Sequence, residues 1–80
     1  MNKSINVYCD SATYATEHVK RAFPNHRVFQ DGPARAFEVD GYFRTLRTIT
    51  ILDITREEFA KGKRRKAIRD LKAEGLLHSF

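Results

Sequence analysis

The sequence predicts a small α+β domain of β-α-β-β-β-α order: a mainly antiparallel four-stranded sheet with two helices packed on one face. Three observations carry this. Ser4 to Asp10 alternates apolar and polar residues, the period of a half-buried strand. Apolar residues recur at spacings of three and four from Ala12 to Phe23, and Ala60, Ala67, Ile68 and Leu71 make one stripe on a second helix. Between these lie three strand-like segments, two of them joined by Asp40-Gly41, a type I′ hairpin signal. Strands that follow one another, with helices before and after, argue α+β rather than alternating α/β.

In the first strand Ile5, Val7 and Cys9 share a face. Asp10 and Ser11 then offer side-chain oxygens to the amides of a first helix. Ala12, Ala15, Val19, Ala22 and Phe23 form its apolar stripe, and Pro24-Asn25 ends it. Lys20 and Arg21 fall in its last turn, where cations favour the helix dipole. His26 to Gln30 is a second strand, Asp31-Gly32-Pro33 a turn, and Ala34 to Val39 a third strand. The fourth runs from Tyr42 to Ile54, with Arg44 and Leu46 on one face and Arg47, Ile49 and Ile51 on the other. Its length predicts a twist or bulge near Thr45 to Thr48. Thr55-Arg56-Glu57-Glu58 is a capping box, and Ile54 and Phe59 have hydrophobic-staple spacing, so a helix starts at Thr55. Beyond it two readings stay open: a continuous helix with Arg64 snorkelling at the core's edge, or a break at Gly62. Gly75 ends the last helix, and Leu76, Leu77 and Phe80 form an apolar tail.

The 80 residues make one basic domain, 1–80, with 15 Lys+Arg against 10 Asp+Glu and a net charge of +5. A single Cys excludes an internal disulfide framework and a multi-cysteine zinc site. No apolar run approaches the ~18 residues of a membrane span, and Met1-Asn2-Lys3 reads as a cytoplasmic start. Membrane partners are therefore not expected.

Lys61, Lys63, Arg64, Arg65 and Lys66 put five cations into six residues, and Arg69 and Lys72 extend the set. On a continuous helix Lys61, Arg65, Arg69 and Lys72 would share an arc about 80° wide. Like charges at i,i+4 repel, a cost that a polyanion would relieve. Phosphate contact follows as the expectation, with steep salt dependence. A second surface is expected on the uncovered sheet face. There Tyr8, Tyr42 or Phe43, Arg44 and Arg47 could stack bases and hold phosphates, or meet a protein or a second copy.

Catalysis is not expected. Cys9 precedes a helix start but shares its strand face with Ile5 and Val7, which reads as a buried thiol. His18, His26 and His78 have no metal-ligand spacing with acidic residues, and no cofactor motif is present.

Two segments carry a family resemblance. Residues Asp31-Gly32-Pro33 and the strand to Val39 resemble the Gly-Pro turn and following strand of double-stranded-RNA-binding domains. Gly62-Lys63-Arg64-Arg65-Lys66-Ala67 is similar to the Gly-Lys-Lys-Ala segment that opens their last helix. The resemblance implies that this basic helix start crosses a groove and touches phosphates. The leading strand, the early capping box at Thr55 and the first helix's lack of the family's Glu and Tyr pattern depart from it, so membership is not assigned.

The expected function is a cytoplasmic nucleic-acid-binding module, RNA or DNA, using Lys61, Lys63, Arg64, Arg65, Lys66, Arg69 and Lys72. Tyr42, Phe43, Arg44 and Arg47 form its second surface. The alternative is a small inhibitor or adaptor of phage or mobile-element type. It would bind an acidic or nucleic-acid-binding surface on a host protein complex, such as a nucleic-acid-processing or defence enzyme. A homodimer through the exposed sheet face or the apolar tail is compatible with either.

Overall fold

The computed structural model describes residues 1–79, with Ser79 described by its backbone alone. Among the described residues the order is β1 (Lys3–Tyr8), α1 (Ala12–Ala22), β2 (Val28–Gln30), β3 (Arg35–Val39), β4 (Tyr42–Ile51), α2 (Arg56–Lys63), α3 (Lys66–Ala73) and β5 (Leu77–Ser79). The α+β class and the antiparallel sheet are as expected. The expected last helix is two helices, and the expected apolar tail contributes a fifth strand.

All strand pairs are antiparallel, in the order β2-β4-β1-β5, with β3 also on β4. Leu46 pairs with Tyr8 of β1 and with Arg35 of β3, so β1 and β3 lie on opposite sides of β4. β2 and β3 thus form one interrupted strand along the same edge. Between the pairs Gln30–Ile49 and Arg35–Leu46, four residues (31–34) stand opposite two (47–48). The expected irregularity near Thr45 to Thr48 therefore lies in the neighbouring strand, at Asp31-Gly32-Pro33, and β4 itself runs unbroken. Pro33 cannot donate a ladder hydrogen bond, and Gly32 adopts φ 79°. The three strands behind the RNA-binding-domain resemblance consequently occupy only two positions in the sheet.

Register fixes the faces. Ile5 pairs with Ile49 and Lys3 with Ile51, which puts Ile5, Val7, Ile49 and Ile51 on one side. These residues are buried together with Ala15, Val19, Ala22, Phe23, Ile54, Ile68 and Leu71. Each fully buried aliphatic side chain contributes about 1.5–3 kcal/mol. Cys9, expected to be buried, is half-buried at the rim of this core, because β1 ends at Tyr8 and the chain turns out towards α1.

Local capping matches the sequence. Ser11 accepts from the Tyr14 amide at 3.2 Å. Thr55 accepts from the Glu58 amide, and Glu58 accepts from the Thr55 amide, both at 3.1 Å. Asp40 (φ 51°) and Gly41 (φ 84°) form the expected hairpin turn. Gly75 (φ 73°) closes α3 with two bonds, Leu76 N–H to Leu71 C=O and Gly75 N–H to Lys72 C=O.

Gly62 is not the break. It lies inside α2, buried beneath Phe23, and a Cβ there would fall inside the Phe23 ring. Phe59 stacks on the same ring, 5.6 Å between centroids. The chain breaks two residues later. Arg64 ends α2, and Arg65 adopts an extended ψ of 151° before α3. This turn lets α2 keep Gly62 against Phe23 while α3 delivers Ile68 and Leu71 to the core. Arg64 is exposed, so it does not snorkel at the core's edge.

Candidate polyanion-binding groove

The break redistributes the cations. Lys63 and Arg64 at the end of α2 join Arg69 and Lys72 of α3 around a groove of about 550 Å³ with Ile68 in its lining. Lys63 also lies 4.9 Å from the centroid of the Phe59 ring. Among the described residues no carboxylate lines this groove. Lys61 and Arg65 fall elsewhere, around a small cleft with Phe23, His26 and Glu58. Arg65 and Lys66 also border a third hollow with His18 and Arg21 of α1 and with Asp70. Lys66 there donates to Asp70 at 3.1 Å. The single arc of Lys61, Arg65, Arg69 and Lys72 expected on a continuous helix does not form, because the extended Arg65 rotates α3 relative to α2. Sequence reasoning did not add Arg21 and His18 to the basic set. Their position off the apolar stripe of α1 was the available signal.

The mixed side is held by local pairing. His26 Nε2 lies 2.8 Å from Glu58 Oε2, and His26 Nδ1 lies 3.1 Å from the Leu52 carbonyl oxygen. The hydrogen bond from His26, with those from Thr55, holds the Glu58 carboxyl below its usual range. Glu58 thereby caps α2 and clamps the loop after α1 onto it.

The second expected surface is divided as well. Arg47 lies on the covered side of the sheet, opposite Val7. It donates to the Cys9 carbonyl at 2.7 Å, the Asp10 carbonyl at 2.8 Å and Gln30 Oε1 at 3.1 Å. A guanidinium with three protein acceptors is a structural pin for the β1–α1 turn and is not displayed for phosphate. Arg44 covers the Tyr8 ring at 4.3 Å and donates to the Gly75 carbonyl at 3.2 Å. The open sheet face beside them is mostly polar and self-paired. Ser4 and Thr50 hydroxyls meet at 3.1 Å, and Thr48 donates to Asn6 at 3.0 Å. Tyr42 and Phe43 stand 76% and 81% exposed on opposite faces of the hairpin formed by β3 and β4. The aromatic surface is therefore the end of this arm and not the broad sheet face.

Leu76 and Leu77 of the apolar tail are half-buried against the core; Phe80 lies outside the described residues. Among the described residues no three His, Cys, Asp or Glu side chains group as metal ligands would. No helix among them is long and apolar enough to cross a membrane. Comparison of the chain with protein-family models, curated proteins and solved structures found no match.

Proposed function

We propose that this protein is a nucleic-acid-binding module whose phosphate contacts are made in the groove of Lys63, Arg64, Arg69 and Lys72. One observation supports this above the others: the fold sorts its charge. Four cations surround a groove with no acidic lining residue among the described residues, while Arg65 and Lys66 share their surfaces with Glu58 and Asp70. Cations brought together repel one another, and a polyanion relieves that repulsion while releasing its own counterions. The alkyl stems of Lys63, Arg64, Arg69 and Lys72 give the groove apolar walls against which a sugar or base can lie. The role is binding and not catalysis, in the cytoplasm.

With about four phosphates engaged, log affinity against log salt should slope by about −2.8 for single strands or −3.6 for duplex. Affinity should then fall about 50- to 150-fold between 50 and 200 mM salt. Titrating 20-mer single-stranded and duplex RNA and DNA at both salt concentrations tests this. No binding to any of the four at the lower salt overturns the reading.

The inhibitor or adaptor reading draws support from a different observation, the exposed Tyr42 and Phe43. Aromatic anchors of this kind dominate protein interfaces, whose affinity depends less on salt. A host protein captured with an affinity that changes under about tenfold over the same salt range would favour it.

A further inference from the structure

The β3–β4 arm and the basic groove are complementary to each other. The tip of the arm, Glu38 to Phe43, carries Glu38 and Asp40, and the arm's cations Arg35 and Arg44 stand at its base. In a chain of net charge +5 this tip is locally acidic; the exposed Phe43 shares the face of Glu38, while the exposed Tyr42 and Phe37 lie on the other face. The groove presents the opposite: Lys63, Arg64, Arg69 and Lys72 around Ile68, in about 550 Å³. That volume accommodates an aromatic side chain at the tip of a hairpin. A ring there meets the arginine and lysine stems, with guanidinium and ammonium groups against its face. The carboxylates of Glu38 and Asp40 reach the same cations.

We infer that the end of the β3–β4 arm of one copy docks into the basic groove of a second copy, head to tail. The exposure of Tyr42 and Phe43 shows that the arm's own chain leaves these rings uncovered. Because the two patches differ, each docked copy keeps one free arm or one free groove, and the association is heterologous and open-ended. The contact is small and the copies repel through their net charge, so it is a weak, salt-sensitive association. It does not rest on the nucleic-acid reading, since it needs only the groove's charge and its alkyl stems. A polyanion in the groove would displace the arm.

Sedimentation velocity of the full chain tests this. At about 50 mM salt the weight-average mass should rise from the 9.3 kDa monomer towards at least twice that value as concentration goes from about 10 to 300 µM. At about 500 mM salt it should remain monomeric. Two variants separate the patches. The arm variant carries Glu38→Lys and Asp40→Asn, asparagine being chosen because position 40 has a positive φ. The groove variant carries Arg69→Glu and Lys72→Glu. Each alone should be monomeric, and an equimolar mixture should form a heterodimer that grows no further. Tyr42→Ser with Phe43→Ser, at two exposed sites, serves as a second arm variant should the first fail to fold. A wild-type chain that stays monomeric at low salt overturns the inference. So does a groove variant that self-associates like wild type, which would indicate arm-to-arm pairing, or a mixture that stays monomeric.

Discussion

Replacing Arg47 by methionine keeps most of the side-chain volume and removes every donor. Three bonds are lost, to Cys9 O, Asp10 O and Gln30 Oε1. The Asp10 carbonyl belongs to an exposed residue and finds water, so its bond contributes little. The Cys9 and Gln30 bonds are partly buried. At about 1–1.5 kcal/mol net for each, their loss costs about 2–3 kcal/mol. At about 4–8 °C per kcal/mol for a domain of this size, the melting temperature should fall by about 8–24 °C. Circular dichroism melts of wild type and Arg47→Met measure it directly. Arg47→Lys should recover less than half of the loss, because one ammonium cannot span three acceptors on two sides of the turn. Nucleic-acid affinity measured well below the variant's melting temperature should match wild type. A melting temperature within about 2 °C of wild type would refute the pin. Lost affinity in a normally melting variant would return Arg47 to the binding surface.

Gly62→Ala should destabilise, although alanine is the better helix former by about 1 kcal/mol, because the added methyl meets the Phe23 ring and overpacking costs about 1–3 kcal/mol. Chemical denaturation should show a lower midpoint with an unchanged slope. The Glu58 carboxyl is held low in the folded state, so the stability it supplies is present above the usual carboxylate range and is lost as pH falls through the depressed value. Melting temperature followed from pH about 6 down to 3 should therefore drop less steeply in Glu58→Gln than in wild type. Arg69→Glu with Lys72→Glu should weaken nucleic-acid binding at least about tenfold more than Lys61→Glu with Arg65→Glu, although both pairs change the net charge equally. Equal losses in filter-binding or anisotropy titrations would mean that charge acts without regard to the groove.

Features set by residues within about four positions of one another are legible in the amino-acid sequence itself. The Thr55–Glu58 capping box, the Ser11 cap, the Asp40-Gly41 turn and the Gly75 helix end each depend on a local backbone geometry and a nearby side chain. The faces of β1 and β4 followed from alternation, which the pleat enforces. Three things needed the folded chain. Whether the helix breaks at Gly62 stayed open in the sequence, because its partner, the Phe23 ring, is far away along the chain and only packing brings it over the glycine. Arg47 looked like a free surface cation, yet its acceptors Cys9 and Asp10 lie 38 and 37 residues away and reach it only once β1 inserts beside β4. The partition of the basic residues turned on the extended backbone at Arg65. No local signal marks it, and it arises because α2 must keep Gly62 under Phe23 while α3 buries Ile68 and Leu71. Local hydrogen bonding and periodicity are written along the chain; which distant side chains share one core is decided by burial, and here burial placed four of the cations around a common groove.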